Sequence, residues 1–242
     1  MAFINWLKEF LGKYLYSPKW RCVSCSREIV DQGYFCEDCY KRLPVNDGPF
    51  CDHCGRKVKV GRQYCTTCKG RLTAVDKARS AFNYEKPIST LIKKAKYKGD
   101  TYLLDVFIDR MVFSYLKSGL DCNCVTFVPM TEKALKKRGY NQSELLAKKV
   151  AQRLNLPVLY CLEKTKQTER QAKLSREQRL KNLQDTFKVT DKKQVNEKTV
   201  LIVDDVTTTG ATAEAIALKL KRAGASSVKL LTVASVPPKE RY

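Results

Sequence analysis

Apolar and polar positions alternate with more than one period along the chain, and each period predicts a different element. Val200 to Val203 is an unbroken aliphatic run, the mark of a strand buried on both faces of a parallel sheet. Ala213 to Ala223 has helix-forming composition and ends at Gly224, a helix stop. Val125 begins a second strand that breaks at Pro129, and a helix follows from Ser143 to about Leu154, with Leu145, Leu146, Val150 and Leu154 at core spacing. Leu91, Ile92 and Ala95 give a third segment an amphipathic helical face. Strand, loop and helix in this order predict an α/β domain over 71–242, a parallel sheet flanked by helices. Between Met1 and Tyr16, Phe3, Ile4, Trp6, Leu7, Phe10, Leu11, Tyr14 and Leu15 recur at helical spacing opposite Lys8, Glu9 and Lys13. This predicts an amphipathic helix over 1–20, docked on its own protein, with peripheral membrane or partner binding as the alternative.

Segment 21–70 is organised by cysteine instead. Eight of the eleven cysteines form four Cys-x-x-Cys pairs: Cys22/Cys25, Cys36/Cys39, Cys51/Cys54 and Cys65/Cys68. The second two pairs repeat the first two at a separation of 29 residues, so each unit reads C-x2-C-x10-C-x2-C. A Cys-x-x-Cys knuckle turns two thiolates toward one metal, and two knuckles complete a tetrahedral site. The expected cofactor is therefore zinc, two structural ions with no open coordination position. Sequential pairing is the simplest, and spacing alone leaves a cross-braced arrangement open. His53, inside the third knuckle, is surplus to a four-sulfur site. Cys122, Cys124 and Cys161 fall outside the repeat and read as ordinary small residues. No run approaches the roughly 18 apolar residues of a membrane helix. The first helix also lacks the long apolar run and small-residue cleavage site of a secretory signal. The expected location is the cytoplasm, where clustered cysteines bind metal more readily than they pair as disulfides.

The segment Val200–Thr212, VLIVDDVTTTGAT, carries the most chemistry. Asp204 and Asp205 follow the aliphatic run, a Thr- and Gly-rich turn comes next, and then the helix. Open α/β folds bind ligands at this carboxyl edge. Backbone N–H groups of Thr208 to Thr212 can wrap a phosphate at the positive end of the helix. Gly210 permits close approach, and the upstream carboxylates suit ribose hydroxyls or hydrated magnesium. Neither G-x-x-x-x-G-K-[ST] nor G-x-G-x-x-G is present, which excludes the common nucleoside-triphosphatase and dinucleotide loops.

Charge adds a second theme. Lys and Arg total 46 against 25 Asp and Glu, a formal net of +21, so the surface attracts polyanions. Lys93, Lys94, Lys96 and Lys98 surround Tyr97, an arrangement suited to single-stranded nucleic acid, whose bases stack while lysines meet phosphates. The lysines could equally be the wet side of the amphipathic helix.

The VLIVDDVTTTGAT loop resembles the phosphoribosyl pyrophosphate motif of type I phosphoribosyltransferases. The pentapeptide Arg138-Gly139-Tyr140-Asn141-Gln142, the segment Thr165–Asn182 and the four cysteine pairs are together similar to the ComF family of competence proteins. That resemblance covers roughly residues 22 to 236 and implies a type I phosphoribosyltransferase fold behind a double zinc module. It implies that Asp204 and Asp205 hold the ribose hydroxyls with magnesium nearby, and that Thr207, Thr208, Thr209, Gly210, Ala211 and Thr212 bind the 5′-phosphate. Pro129, Met130 and Arg138 would form the pyrophosphate loop, although Met130-Thr131 replaces the second half of the family's usual VPVP step. Gln171, Arg179 and Asn182 would belong to a flap that closes over the ligand. The Lys93–Lys98 patch would contact single-stranded DNA beside a ComFA-like, helicase-like ATPase during DNA uptake. An active phosphoribosyltransferase on an unidentified acceptor, and a sensor of the sugar phosphate, are the alternative functions.

Overall fold

The computed structural model describes residues 20–30, 33–66, 68–70, 73–165, 183 and 185–237. The predicted N-terminal helix and the flap residues Gln171, Arg179 and Asn182 lie outside the described residues. The chain forms two compact units, Met1–Leu43 and Pro44–Tyr242. The first cysteine repeat lies in the first unit and the second repeat in the other, with the sheet.

In the first unit, an isolated antiparallel bridge joins Arg21 to Glu28, and a short helix α1 (Glu37–Lys41) carries Cys39 on its buried side. Arg27 pairs with Asp38 at 2.7 Å, and Phe35 and Ile29 pack on the cysteine cluster.

The second unit is built on four parallel strands in the order β1-β6-β5-β2: β1 (Lys77–Asn83), β6 (Ser227–Ser235), β5 (Thr199–Thr207) and β2 (Cys124–Phe127). Val200 to Val203 are all fully buried at the centre. Val200 and Ile202 join one core cluster with Ile216 and Leu220 of helix α6 (Ala211–Arg222). The period-two alternation of a strand sends Leu201 and Val203 to the opposite face. Helix α5 (Gln142–Leu154) packs on β5 and β2, and helix α3 (Asp105–Lys117) packs on α5 and β1. The predicted α/β class is therefore the observed one.

Local chemistry explains the remaining elements. Helix α2 (Ile88–Tyr97) buries Ile88, Leu91, Ile92 and Ala95, the predicted apolar face. The basic stretch after Pro129 is expected as a loop, but most of it is helix α4 (Glu132–Arg138). Thr131 caps that helix by accepting from the Ala134 N–H, Glu132 faces its positive end, and three basic residues fill its last turn. Gly139 ends it in the left-handed conformation, φ 84°. Strands β3 (Leu162–Lys164) and β4 (Phe187–Val189) form a separate antiparallel pair.

β1 is an edge strand, and its outer side is closed by the chain just before it. Asn46 N–H donates to the Ala81 carbonyl at 3.1 Å, Asn83 N–H to Pro44 at 2.8 Å and Ala78 N–H to Asp52 at 2.6 Å. Segment 44–46 and Asp52 of the second cysteine repeat thus supply hydrogen bonds that an exposed edge would leave open to other chains. Among the described residues, no helix is long and apolar enough to cross a membrane.

Candidate functional site

Each cysteine repeat folds into its own four-sulfur cluster. Cys22, Cys25, Cys36 and Cys39 form one and Cys51, Cys54, Cys65 and Cys68 the other, with the sulfurs of each set within 4.8 Å of one another. The pairing is sequential. Cys25 and Cys36 sulfurs are 3.7 Å apart, and Cys54 and Cys65 sulfurs 3.8 Å. A tetrahedral zinc with bonds of about 2.3 Å needs sulfur–sulfur edges of about 3.8 Å, so both sets fit it. His53 belongs to neither cluster; its Nδ1 lies 2.6 Å from the Thr73 hydroxyl and its ring stacks on Tyr64 at 4.6 Å. Cys124 and Cys161 are core residues and Cys122 is half-buried.

The second candidate site lies at the carboxyl edge of the sheet. β5 runs farther than the aliphatic run predicts, because β6 continues beside it through Val206↔Ala234 and Thr207↔Ser235. Asp204 and Asp205 therefore sit inside the strand, and the turn begins at Thr208. Thr208 is exposed, Thr209 and Gly210 are half-buried, and Gly210 takes φ 78° ahead of α6. Ala211 is buried as the first helical residue, and Thr212 is in the first turn. The Ala211 N–H donates to Thr209 Oγ1 at 3.4 Å, and the first turn of α6 presents its positive end here, which favours an anion.

The two carboxylates hold side chains from distant motifs. Lys96 Nζ lies 2.7 Å from Asp205 Oδ2, and Gln142 Nε2 donates to the same oxygen at 3.1 Å. Ser143 Oγ donates to Asp204 Oδ1 at 2.8 Å, and the Asp205 N–H donates to it at 2.9 Å. Arg138 reaches Gln142 through its carbonyl oxygen and lies 3.5 Å from the Met130 sulfur. Asn141 ties the turn to the end of β2 by donating to the Val128 carbonyl at 3.0 Å. Pro129 is buried and Met130 half-buried beside it. Burial, then the neighbouring Asp205 charge, pushes the Asp204 carboxyl up to about 7, with Ser143 and Lys96 pulling the other way. For Lys96, burial works against the charged form, but the Asp205 carboxylate prevails and raises its pKa.

The structure separates the residues of the lysine patch. Lys93, Tyr97 and Lys98 are exposed and Lys94 is half-buried, whereas Lys96 turns into the carboxylate site. Sequence reasoning missed the place of Lys96, Gln142 and Ser143 beside the acids; the Arg-Gly-Tyr-Asn-Gln string marks the position of Gln142 and the adjoining Ser143 but not their partners. Tyr140 donates its hydroxyl to the Ala95 carbonyl, joining that string to α2. Beside the second cysteine cluster a groove of 620 Å³ opens, with Lys57, Lys59 and Arg62 along it and Asn83, Glu85 and Pro237 at its sheet end.

Family comparisons match both parts of the chain. A double zinc ribbon domain model matches residues 11–69, and a phosphoribosyl transferase domain model matches residues 141–241. Competence protein F of Haemophilus influenzae is 26% identical over 87% of this chain and 94% of its own length. The DNA utilization protein YhgH of Escherichia coli K12 is 27% identical over 86% of this chain and 87% of its own length. Both domain models and both relatives agree with the resemblance to the ComF family. The chain joins a double zinc ribbon to a phosphoribosyltransferase fold. Among solved structures, the allosteric regulatory enzyme of purine biosynthesis matches at 22% identity and TM-score 0.34, over 51% of this chain and 24% of that one, a likeness too slight to bear on function.

Both geometries can be tested directly. Cys54→Ser should lower the zinc content of the purified protein from two ions per chain to one, as read by metal analysis; two ions retained would show that the second cluster is not the metal site. Asp204 keeps a proton in the folded state between pH 3.8 and about 7 that the unfolded chain releases. The folded protein binds more protons in that window, so stability falls as pH rises through it. Urea midpoints should show that slope in the wild type and a flatter one in Asp204→Asn, and equal slopes would contradict the assignment.

Proposed function

We propose that this protein acts as a ComF-family protein, binding magnesium phosphoribosyl pyrophosphate at the carboxyl edge of its sheet and single-stranded DNA on its basic surface, in the uptake of DNA during transformation. The observation that carries the ligand half is the convergence of Asp204 and Asp205 with the Thr207–Thr212 turn at one helix N-terminus. Phosphate there would meet backbone N–H groups, and the acids suit the ribose hydroxyls and the ion. An Asp204 carboxyl that titrates near 7 can give up its proton when a divalent cation arrives. Pro129 and Met130, just beyond β2, and Arg138, at the end of α4, would receive the pyrophosphate.

The DNA half rests on different residues. Tyr97, 57% exposed, lies beside the exposed Lys93 and Lys98. Arg138 lies 5.8 Å from the Tyr97 ring, so the nucleic-acid and sugar-phosphate candidates share a border. Lys57, Lys59 and Arg62 provide a second basic stretch on the ribbon side. Competence protein F and the DNA utilization proteins bear names of the same theme. The proposed setting is the cytoplasm, where reduced thiolates hold zinc, with a ComFA-like ATPase as motor.

Anisotropy of labelled DNA, with and without magnesium phosphoribosyl pyrophosphate, tests both halves. The wild type should prefer the single strand to the duplex, and Lys93→Ala with Lys98→Ala should lower the salt slope by about 1.4, about 0.7 for each phosphate no longer neutralised. Asp204→Asn with Asp205→Asn should abolish sugar-phosphate binding in calorimetry. Equal affinity for both DNA forms would sink the DNA half, and sugar-phosphate binding that survives the double substitution would sink the other.

A further inference from the structure

The second zinc ribbon reaches the phosphate turn directly. Arg56, two residues after the ligand Cys54, donates through Nη2 to the carbonyl of Thr208, the exposed residue that opens the turn. The guanidinium is nearly enclosed, with Arg56 only 6% exposed, and its Nε–H has no acceptor among the described residues. A buried cation whose side-chain hydrogen bond among the described residues goes to the Thr208 carbonyl is not surface decoration, since its desolvation is offset only by contacts made inside the fold.

The knuckle that carries Arg56 has little freedom. Cys51 N–H donates to the Arg56 carbonyl and Gly55 N–H to the Cys51 carbonyl, both at 2.8 Å. Gly55 takes φ +70°, and a Cβ there would lie 2.8–2.9 Å from the Arg79 backbone in β1. Asn46 Nδ2 bridges the Gly55 and Ser80 carbonyls at 3.0 and 3.1 Å. Arg79 Nη1 lies 3.2 Å from Asp52 Oδ1 inside the same knuckle. The metal cluster, the edge strand and Arg56 therefore form one block, and Thr208 is its contact with the turn.

We propose that Arg56 is a positioning residue for the phosphate turn, so that the second zinc ribbon is a structural part of the sugar-phosphate site. The role of Arg56 rests on the ligand reading above only for its consequence, not for its geometry. The guanidinium fixes the direction of the Thr208 carbonyl, and with it the planes of the peptides that follow. The N–H groups of 209–212 are then preset toward an anion instead of being ordered by it, which saves the ordering cost at binding.

Hydrogen–deuterium exchange on the full chain separates this proposal from the ligand reading. In Arg56→Ala with both zinc ions retained, amides of 207–213 should exchange about tenfold faster or more, the effect expected on losing a hydrogen bond from a charged donor. Peptides of β2 and β5 before Asp204 should exchange as in the wild type. Arg56→Lys, which restores a cationic donor, should return part of the protection. Unchanged exchange in 207–213, or acceleration spread evenly over the sheet, overturns the proposal. Calorimetry with magnesium phosphoribosyl pyrophosphate gives the consequence: about tenfold weaker binding by Arg56→Ala. A wild type that does not bind it would remove the ligand reading and leave the exchange result to decide Arg56.

Discussion

Two adjacent carboxylates on the central strand of a buried sheet are the constraint around which the sheet-bearing unit is arranged. Each charge loses water by burial and each disfavours the other. The chain meets this by holding a proton on Asp204 to about 7 and by bringing a lysine and two neutral donors to the pair. Lys96 comes from α2, and Gln142 and Ser143 from the first turn of α5. These side chains bind the helices to the end of β5 at the sheet edge where a ligand is expected. A cation or a sugar hydroxyl entering there meets acids already surrounded by donors, so its binding must compete with Lys96 for Asp205.

The two cysteine repeats show how the same local chemistry serves different surroundings. Both form four-sulfur clusters with the same spacing, since a knuckle needs only its own turn and its partner 14 residues away. Their neighbours differ. The second cluster covers the outer edge of β1 through Ala78 and Asp52 and carries the buried Arg56, whereas the first has the exposed pair Arg27–Asp38 beside it. An exposed pair of that kind contributes little, because water and salt screen it. Loss of metal from the second ribbon would also loosen the Asp52 contact that closes the Ala78 end of β1.

Much of this was legible in the sequence wherever the interaction is local. The cysteine spacing led to both metal clusters, the aliphatic run of 200–203 to a central parallel strand, and Gly210 to the turn before α6. The sequence period could not reveal contacts that span the chain. Lys96 meets Asp205 across 109 residues, Gln142 meets it across 63, and Arg56 meets Thr208 across 152. The helix from 132 to 138 was hidden for another reason. Its sequence, EKALKKR, is so polar that no apolar face marks it, and it buries none of its residues. Its caps, Thr131 and Gly139, were the available signal.

Lys96 shows why a run of like charges cannot be assigned as a block. The apolar face of α2 is Ile88, Leu91, Ile92 and Ala95. Lys96 follows Ala95 by one step, about 100° round the helix, and so stands at the border of that face. A lysine there can lay its methylene stem along apolar surface while its ammonium reaches a polar group beyond. Asp205 supplies that group. Tyr97 is a further step round, and Lys93 lies on the same outer side, away from the core. Helical phase, more than charge density, therefore divides the patch into one lysine that belongs to the acid pair and others free to meet a polyanion. A substitution at Lys96 would disturb both sites together, so a loss of DNA binding in such a variant could not by itself locate the DNA, whereas Lys93 and Lys98 report on the surface alone.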